Sequence, residues 1–112
     1  MSGSQLDRTE LKMELTKKQL KHLKALAHHL EPVVNIGKNG LTDAVATEVE
    51  QTLNSRELIK VRVNCDDRAT LTAILSAINS RISCVHVQTI GKMGIFFREA
   101  EENSRIDIKK IQ

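Results

Sequence analysis

Apolar positions along the chain fall into two periods, and the places where each begins and ends mark out seven elements. Leu20, Leu23, Ala27 and Leu30 recur at three- and four-residue steps, the stripe of an amphipathic helix. Thr16 stands before it with Gln19 three residues on, a capping box. Pro32 stops it, because the residue before a proline is pushed out of the α region. A short apolar run at 33–36 reads as a strand, and Val45, Val49 and Leu53 place a second helix over about 42–54. Residues 58–64 alternate as a strand does, with Ile59, Val61 and Val63 against Lys60, Arg62 and Asn64. Asp66 or Asp67 caps a third helix with Leu71, Ile74, Leu75, Ile78 and Ile82 inward. Two strands follow at 84–90 and 93–98, joined by a hairpin turn at Gly91-Lys92.

The order α-β-α-β-α-β-β predicts an α/β fold, a two-layer domain on a four-stranded mixed sheet. Crossover helices make strands parallel or near-parallel neighbours, and the last hairpin is antiparallel. The second and third helices are expected on one sheet face. The other face, carrying Lys60, Arg62, His86, Gln88, Phe96 and Arg98, is expected to be solvated. Whether the first helix covers part of it is left open by the pattern. At 112 residues the chain is one domain by size. We place that domain at 15–98, after an arm at 1–14 and before an acidic stretch and tail at 99–112. Within the tail, Ile106 and Ile108 are candidates for a short edge strand.

Charge and composition narrow the chemistry. A net charge of +3 permits a nucleic-acid partner without requiring one. Phe96 and Phe97 are the only aromatic residues, which argues against an aromatic base-stacking platform. Contact with RNA is then expected mostly through backbone and shape. Cys65 and Cys84 have no metal-ligand spacing, and if their strands run parallel they lie at opposite ends of the sheet, too far apart for a disulfide. Without a signal-like segment or long apolar run, a cytoplasmic monomer away from membranes is expected. No GxSxG, HExxH, Walker A or GxGxxG occurs, and helix capping accounts for Asp66-Asp67. Neither enzymatic activity, nor a cofactor, nor a metal is expected.

The informative stretch is Gly37-Lys38-Asn39-Gly40, between the first strand and the second helix. Glycines there allow positive φ and close approach of another backbone. The free N–H groups of the helix's first turn can donate to an anion such as phosphate. An ordinary strand-to-helix connection also uses a glycine or two, and Asp43 in that first turn opposes an anion. Lysines must therefore supply most of the attraction. Lys17, Lys21 and Lys24 line one rim of the first helix, with Lys18 beside them, either as a solvated face or as a phosphate-binding one. If that helix packs antiparallel to the first strand, Lys17, Lys18 and Lys21 share a region with Lys38 and the loop.

Four segments carry a resemblance. Leu15 to Gln19, Pro32 to Thr42, Glu57 to Val61 and Gln88 to Gly91 match, in order and spacing, the signature of the CRM domain (chloroplast RNA splicing and ribosome maturation). Over about 15–98 the chain resembles its stand-alone bacterial YhbY-like RNA-binding form. The resemblance implies a fold similar to the C-terminal domain of translation initiation factor three. It implies RNA binding with Gly37, Lys38, Asn39 and Gly40 at the contact surface, and association with precursors of the large ribosomal subunit. In plants, related domains serve group II intron splicing. The family's frequent aliphatic-Tyr-Arg ending of the fourth strand reads Phe96-Phe97-Arg98 here: the hydroxyl is missing, and Arg98 is kept as a contact candidate. The alternative function is a protein-interaction domain docking on ribosomal proteins.

Overall fold

The computed structural model describes residues 15–99. The capping box forms as read: the Gln19 N–H donates to Thr16 Oγ1 at 3.1 Å and the Thr16 N–H to Gln19 Oε1 at 2.8 Å. It opens α1 (Lys17–Ala27), which is followed by β1 (Pro32–Ile36), α2 (Asp43–Arg56) and β2 (Leu58–Val63). Then come α3 (Arg68–Arg81), β3 (Val85–Ile90) and β4 (Met93–Phe97). Thr42 caps α2, and of the two candidates it is Asp67 that caps α3, accepting from the Thr70 N–H at 3.2 Å and from its hydroxyl at 2.6 Å. Those hydrogen bonds favour the carboxylate and hold Asp67 below the usual aspartate pKa. The arm at 1–14 and the proposed edge strand at Ile106 and Ile108 lie outside the described residues.

The element order and the four-stranded mixed sheet are those predicted. The strands lie in the order β1-β2-β4-β3, with β1 parallel to β2 and β4 antiparallel to both its neighbours. The larger core lies under α2 and α3: Val49, Leu53, Leu71, Leu75 and Ile78 meet Val34, Ile36, Ile59, Val61, Val63 and Phe96. Fifteen buried residues in that cluster make it the main source of hydrophobic stabilisation.

The opposite face is not the solvated surface expected. Leu23 and Ala27 of α1 pack there on Leu58, Val87, Ile95 and Phe97. Lys60, placed by its alternation on a wet face, is 8% exposed, and its Nζ donates to the carbonyl of Leu30 at 2.9 Å. The lysine stem lies in apolar surroundings while one carbonyl past the end of α1 satisfies its head, the arrangement long cationic side chains adopt at apolar surfaces.

Register corrects two further assignments. Ile59 pairs with Phe96 and Lys60 with Ile95, and cross-strand partners share a face. Phe96 therefore sits in the larger core with Ile59, fully buried, and not beside Lys60. His86, opposite Phe96, stacks on that ring with centroids 5.0 Å apart, and burial pulls its pKa below the usual histidine value. A bulge between His86 and Gln88 interrupts the alternation of β3, so Val87 and Gln88 do not follow a strict period of two.

Both cysteines are free and buried. Because β3 and β2 are each antiparallel to β4, they run in the same direction, and Cys65 and Cys84 occupy opposite ends of the sheet as anticipated. Burial pushes the Cys84 thiol up to about 12. At pH 8 its thiolate fraction is then about a thousandfold below that of an unperturbed thiol. Iodoacetamide labelling followed by peptide mapping should show Cys84 unmodified in the native protein and labelled once denaturant is added. Rapid native labelling of Cys84 would contradict the burial described.

Candidate nucleic-acid interface

The sheet order assembles one edge from segments far apart in sequence. β1 and β2 are parallel, so both end at this edge, and β4 begins here with Met93 opposite Arg62. The ladder continues past the strands: the Asn64 N–H donates to the Ile36 carbonyl at 2.8 Å and the Val63 N–H to the Lys92 carbonyl at 2.9 Å. The Gly37–Gly40 loop, the end of β2 and the Gly91-Lys92 hairpin therefore meet. Ligands of open α/β sheets collect outside the carboxyl ends of parallel strands, which is where this loop lies.

The loop itself is a β-turn. The Gly40 N–H donates to the Gly37 carbonyl at 3.0 Å, leaving Lys38 and Asn39 at the exposed apex. The two glycines differ in role. Gly40 has φ +73°, a conformation that disfavours any L side chain, whereas Gly37 has no such strain and open space where a Cβ would stand. Only one of the pair is required by the turn. Gly37 keeps the surface low beside the apex.

The N-terminus of α2 is largely occupied. The Thr42 hydroxyl oxygen accepts from the Val45 N–H at 3.2 Å, and Asp43 carries a negative charge in the first turn. Asp43 forms an ion pair with Arg81 of α3. An anion would find one amide already taken and a carboxylate nearby, so attraction must come from side-chain cations.

Beside the loop lies an open groove of about 450 Å³ lined by Asn35, Ile36, Gly37, Arg62 and Asn64. Asn35 pairs with Arg62 in the β1–β2 register, and both are exposed. They alternate with Val34, Ile36, Val61 and Val63 of the larger core, so they face the α1 side of the sheet. Arg62, Asn64 and Lys92 were not among the residues singled out from sequence. The Gly91-Lys92 turn was legible, but its meeting with the loop depends on β4 lying between β2 and β3.

Lys17, Lys18, Lys21 and Lys24 are all exposed on α1. The helix packs over β2 and β3, while the loop leaves β1. Arg98 has a different position from the loop. It follows Phe97, which pairs with Leu58 at the start of β2, so it lies at the opposite end of the sheet. Its guanidinium is engaged by the Glu50 carboxylate at 2.7 Å, Asn54 Oδ1 at 2.6 Å and the Ser83 carbonyl at 3.2 Å. The Arg98 N–H also donates to the carbonyl of Glu57, the positive-φ residue (69°) that ends α2. Arg98 thus lies away from the loop edge and clamps the end of α2.

Among the described residues, no group of three or more His, Cys, Asp or Glu is placed to hold a metal ion, and no helix is long and apolar enough to cross a membrane.

Comparison with known proteins gives one consistent result. A Haemophilus influenzae protein named an RNA-binding protein is 49% identical over 88 residues, covering 79% of this chain and 89% of its own. A Bacillus subtilis protein named a probable RNA-binding protein is 38% identical over 96 residues, covering 84% of this chain and 98% of its own. The solution structure of a hypothetical protein from Staphylococcus aureus, a candidate RNA binder, superposes with a TM-score of 0.73 at 34% identity. That match covers 84% of this chain and 98% of the other. The family model described as the CRS1 / YhbY (CRM) domain matches residues 15–98. With the signature segments, the fold and these relatives in agreement, the chain belongs to the CRS1/YhbY (CRM) domain family.

Proposed function

We propose that the protein binds RNA on the α1 side of the sheet and along the adjoining loop edge, with the phosphate backbone as the main target. One observation carries this reading: α1 and the four strands contain no Asp or Glu at all. The acids of the described residues lie in α2 or in the connections and ends. The face built from α1 and the strands instead exposes Lys17, Lys18, Lys21, Lys24 and Arg62, with Lys38 at the loop apex. Cations without local acids attract phosphates and carry little sequence information. Gly37 lets an RNA backbone come close, and Asn39 offers an amide at the apex. The names of the relatives support the same partner.

The finer part of the proposal is that the RNA is ribosomal, within precursors of the large subunit, and that the protein acts there by binding and not by catalysis. It is supported by the resemblance of the four signature segments. Crosslinking in cells and mapping of the bound RNA tests it; recovery of mostly non-ribosomal RNA would reject it.

Lys38→Glu tests the loop. Lys38 is exposed at a turn apex, so circular dichroism should be unchanged, while affinity for a structured ribosomal RNA fragment falls about tenfold as one phosphate contact becomes a repulsion. Unchanged affinity with unchanged circular dichroism would reduce the loop to a connection.

A further inference from the structure

The groove beside the loop has a composition that phosphate binding alone does not require. Phosphate recognition needs cations and amides; this groove pairs one guanidinium, Arg62, with two carboxamides, Asn35 and Asn64. All three are exposed, and none has a side-chain hydrogen bond or ion pair among the described residues. A carboxamide presents donors and an acceptor together, the complement of a nucleobase edge. Next to Arg62 across the β2–β4 ladder stands Met93, half-buried. A guanidinium plane and a thioether are both surfaces on which a base can stack where no aromatic ring is offered. At about 450 Å³ the groove is in the size range of small-ligand sites, and Gly37 forms the wall nearest the loop apex.

We propose that this groove receives one unpaired nucleotide of the bound RNA, its base on Arg62 and Met93, its edge toward Asn35 and Asn64, and its phosphate toward Gly37. This deepens the RNA-binding reading and rests on it. Recognition of the backbone by the lysines would then be joined by selection for a bulged or unpaired position, a preference that a purely electrostatic surface lacks.

Two RNA hairpins separate the possibilities: one with a fully paired stem, and one identical except for a single unpaired uridine in the stem. The wild-type protein should bind the bulged hairpin about tenfold more tightly, from one added stacking contact. Arg62→Lys keeps the charge and removes the plane. It should abolish that preference: the bulged hairpin should lose about tenfold more affinity than the paired one, and the salt dependence of both should be kept because the charge is kept. Asn64→Ala, at an exposed position, should lower the preference without touching the paired hairpin. Equal wild-type affinity for the two hairpins would overturn the groove while leaving RNA binding intact, as would an equal loss on both in Arg62→Lys. Binding to neither hairpin would overturn the RNA-binding reading together with the groove.

Discussion

Gly94→Val will lose about 3 kcal/mol of stability, among the largest effects expected of a single substitution in this fold. Gly94 lies in β4 between Ile95 and Met93, paired with Val61 of β2 and Thr89 of β3, and faces α3. A Cβ at that position would stand 2.6 Å from Leu75 Cδ2 and 2.9 Å from Phe96 Cε2. Leu75 is 2% exposed and Phe96 fully buried, so neither has free space to move into. The helix and sheet approach closely here because glycine presents no side chain. Shortening the helix side should restore part of the loss: Leu75→Ala costs about 2–5 kcal/mol by itself. In the double variant the two changes should be less than additive by about 1–2 kcal/mol. Urea unfolding of the four proteins measures the coupling. Full additivity would show that α3 does not rest on Gly94.

Arg98→Ala is the second. Removing a largely buried guanidinium leaves the Glu50 carboxylate without its ion pair and the Asn54 and Ser83 oxygens without a donor. Breaking such a clamp costs about 1–2 kcal/mol: the hydrogen bonds and the packing of the guanidinium are lost, while water reaches the Glu50, Asn54 and Ser83 oxygens and offsets part of the loss. Arg98→Lys should recover less than half, since an ammonium cannot serve three divergent acceptors as a planar fork does. The functional corollary discriminates between two roles. At a temperature where Arg98→Ala remains folded, its RNA affinity should equal that of the wild type within twofold. A selective loss of affinity would return Arg98 to the contact surface, where the family's strand-four ending first suggested it.

Features decided by neighbouring residues were legible in the sequence, and those decided by packing between distant segments were not. The helical stripes, the caps at Thr16 and Asp67 and the hairpin at Gly91-Lys92 were all legible, because each depends on neighbours within a turn or two. Faces and edges were less so. Lys60 reads as a surface residue by alternation, yet the carbonyl of Leu30, past the end of α1 and thirty residues upstream, lets it be buried. Phe96 reads as Lys60's neighbour until the β2–β4 register places it with Ile59. Arg62 and Lys92 join the loop edge only because β4 inserts between β2 and β3, a choice of strand order that local pattern does not encode. The loop itself was found from its glycines, but which of them the turn needs became visible only with the backbone: Gly40 carries the positive φ and Gly37 does not.

The charge distribution remains the core of the functional account, and salt tests it most directly. If the acid-free face and the loop engage about four to six phosphates, the logarithm of the RNA association constant should fall with the logarithm of salt concentration at a slope of about −3 to −5. Between 50 and 200 mM salt that is a loss of about 60- to 1,000-fold in affinity. The measurement needs only the wild-type protein, a structured ribosomal RNA fragment and a salt series. A steep linear decline in that range is the predicted result; a flat response would contradict phosphate recognition by this surface.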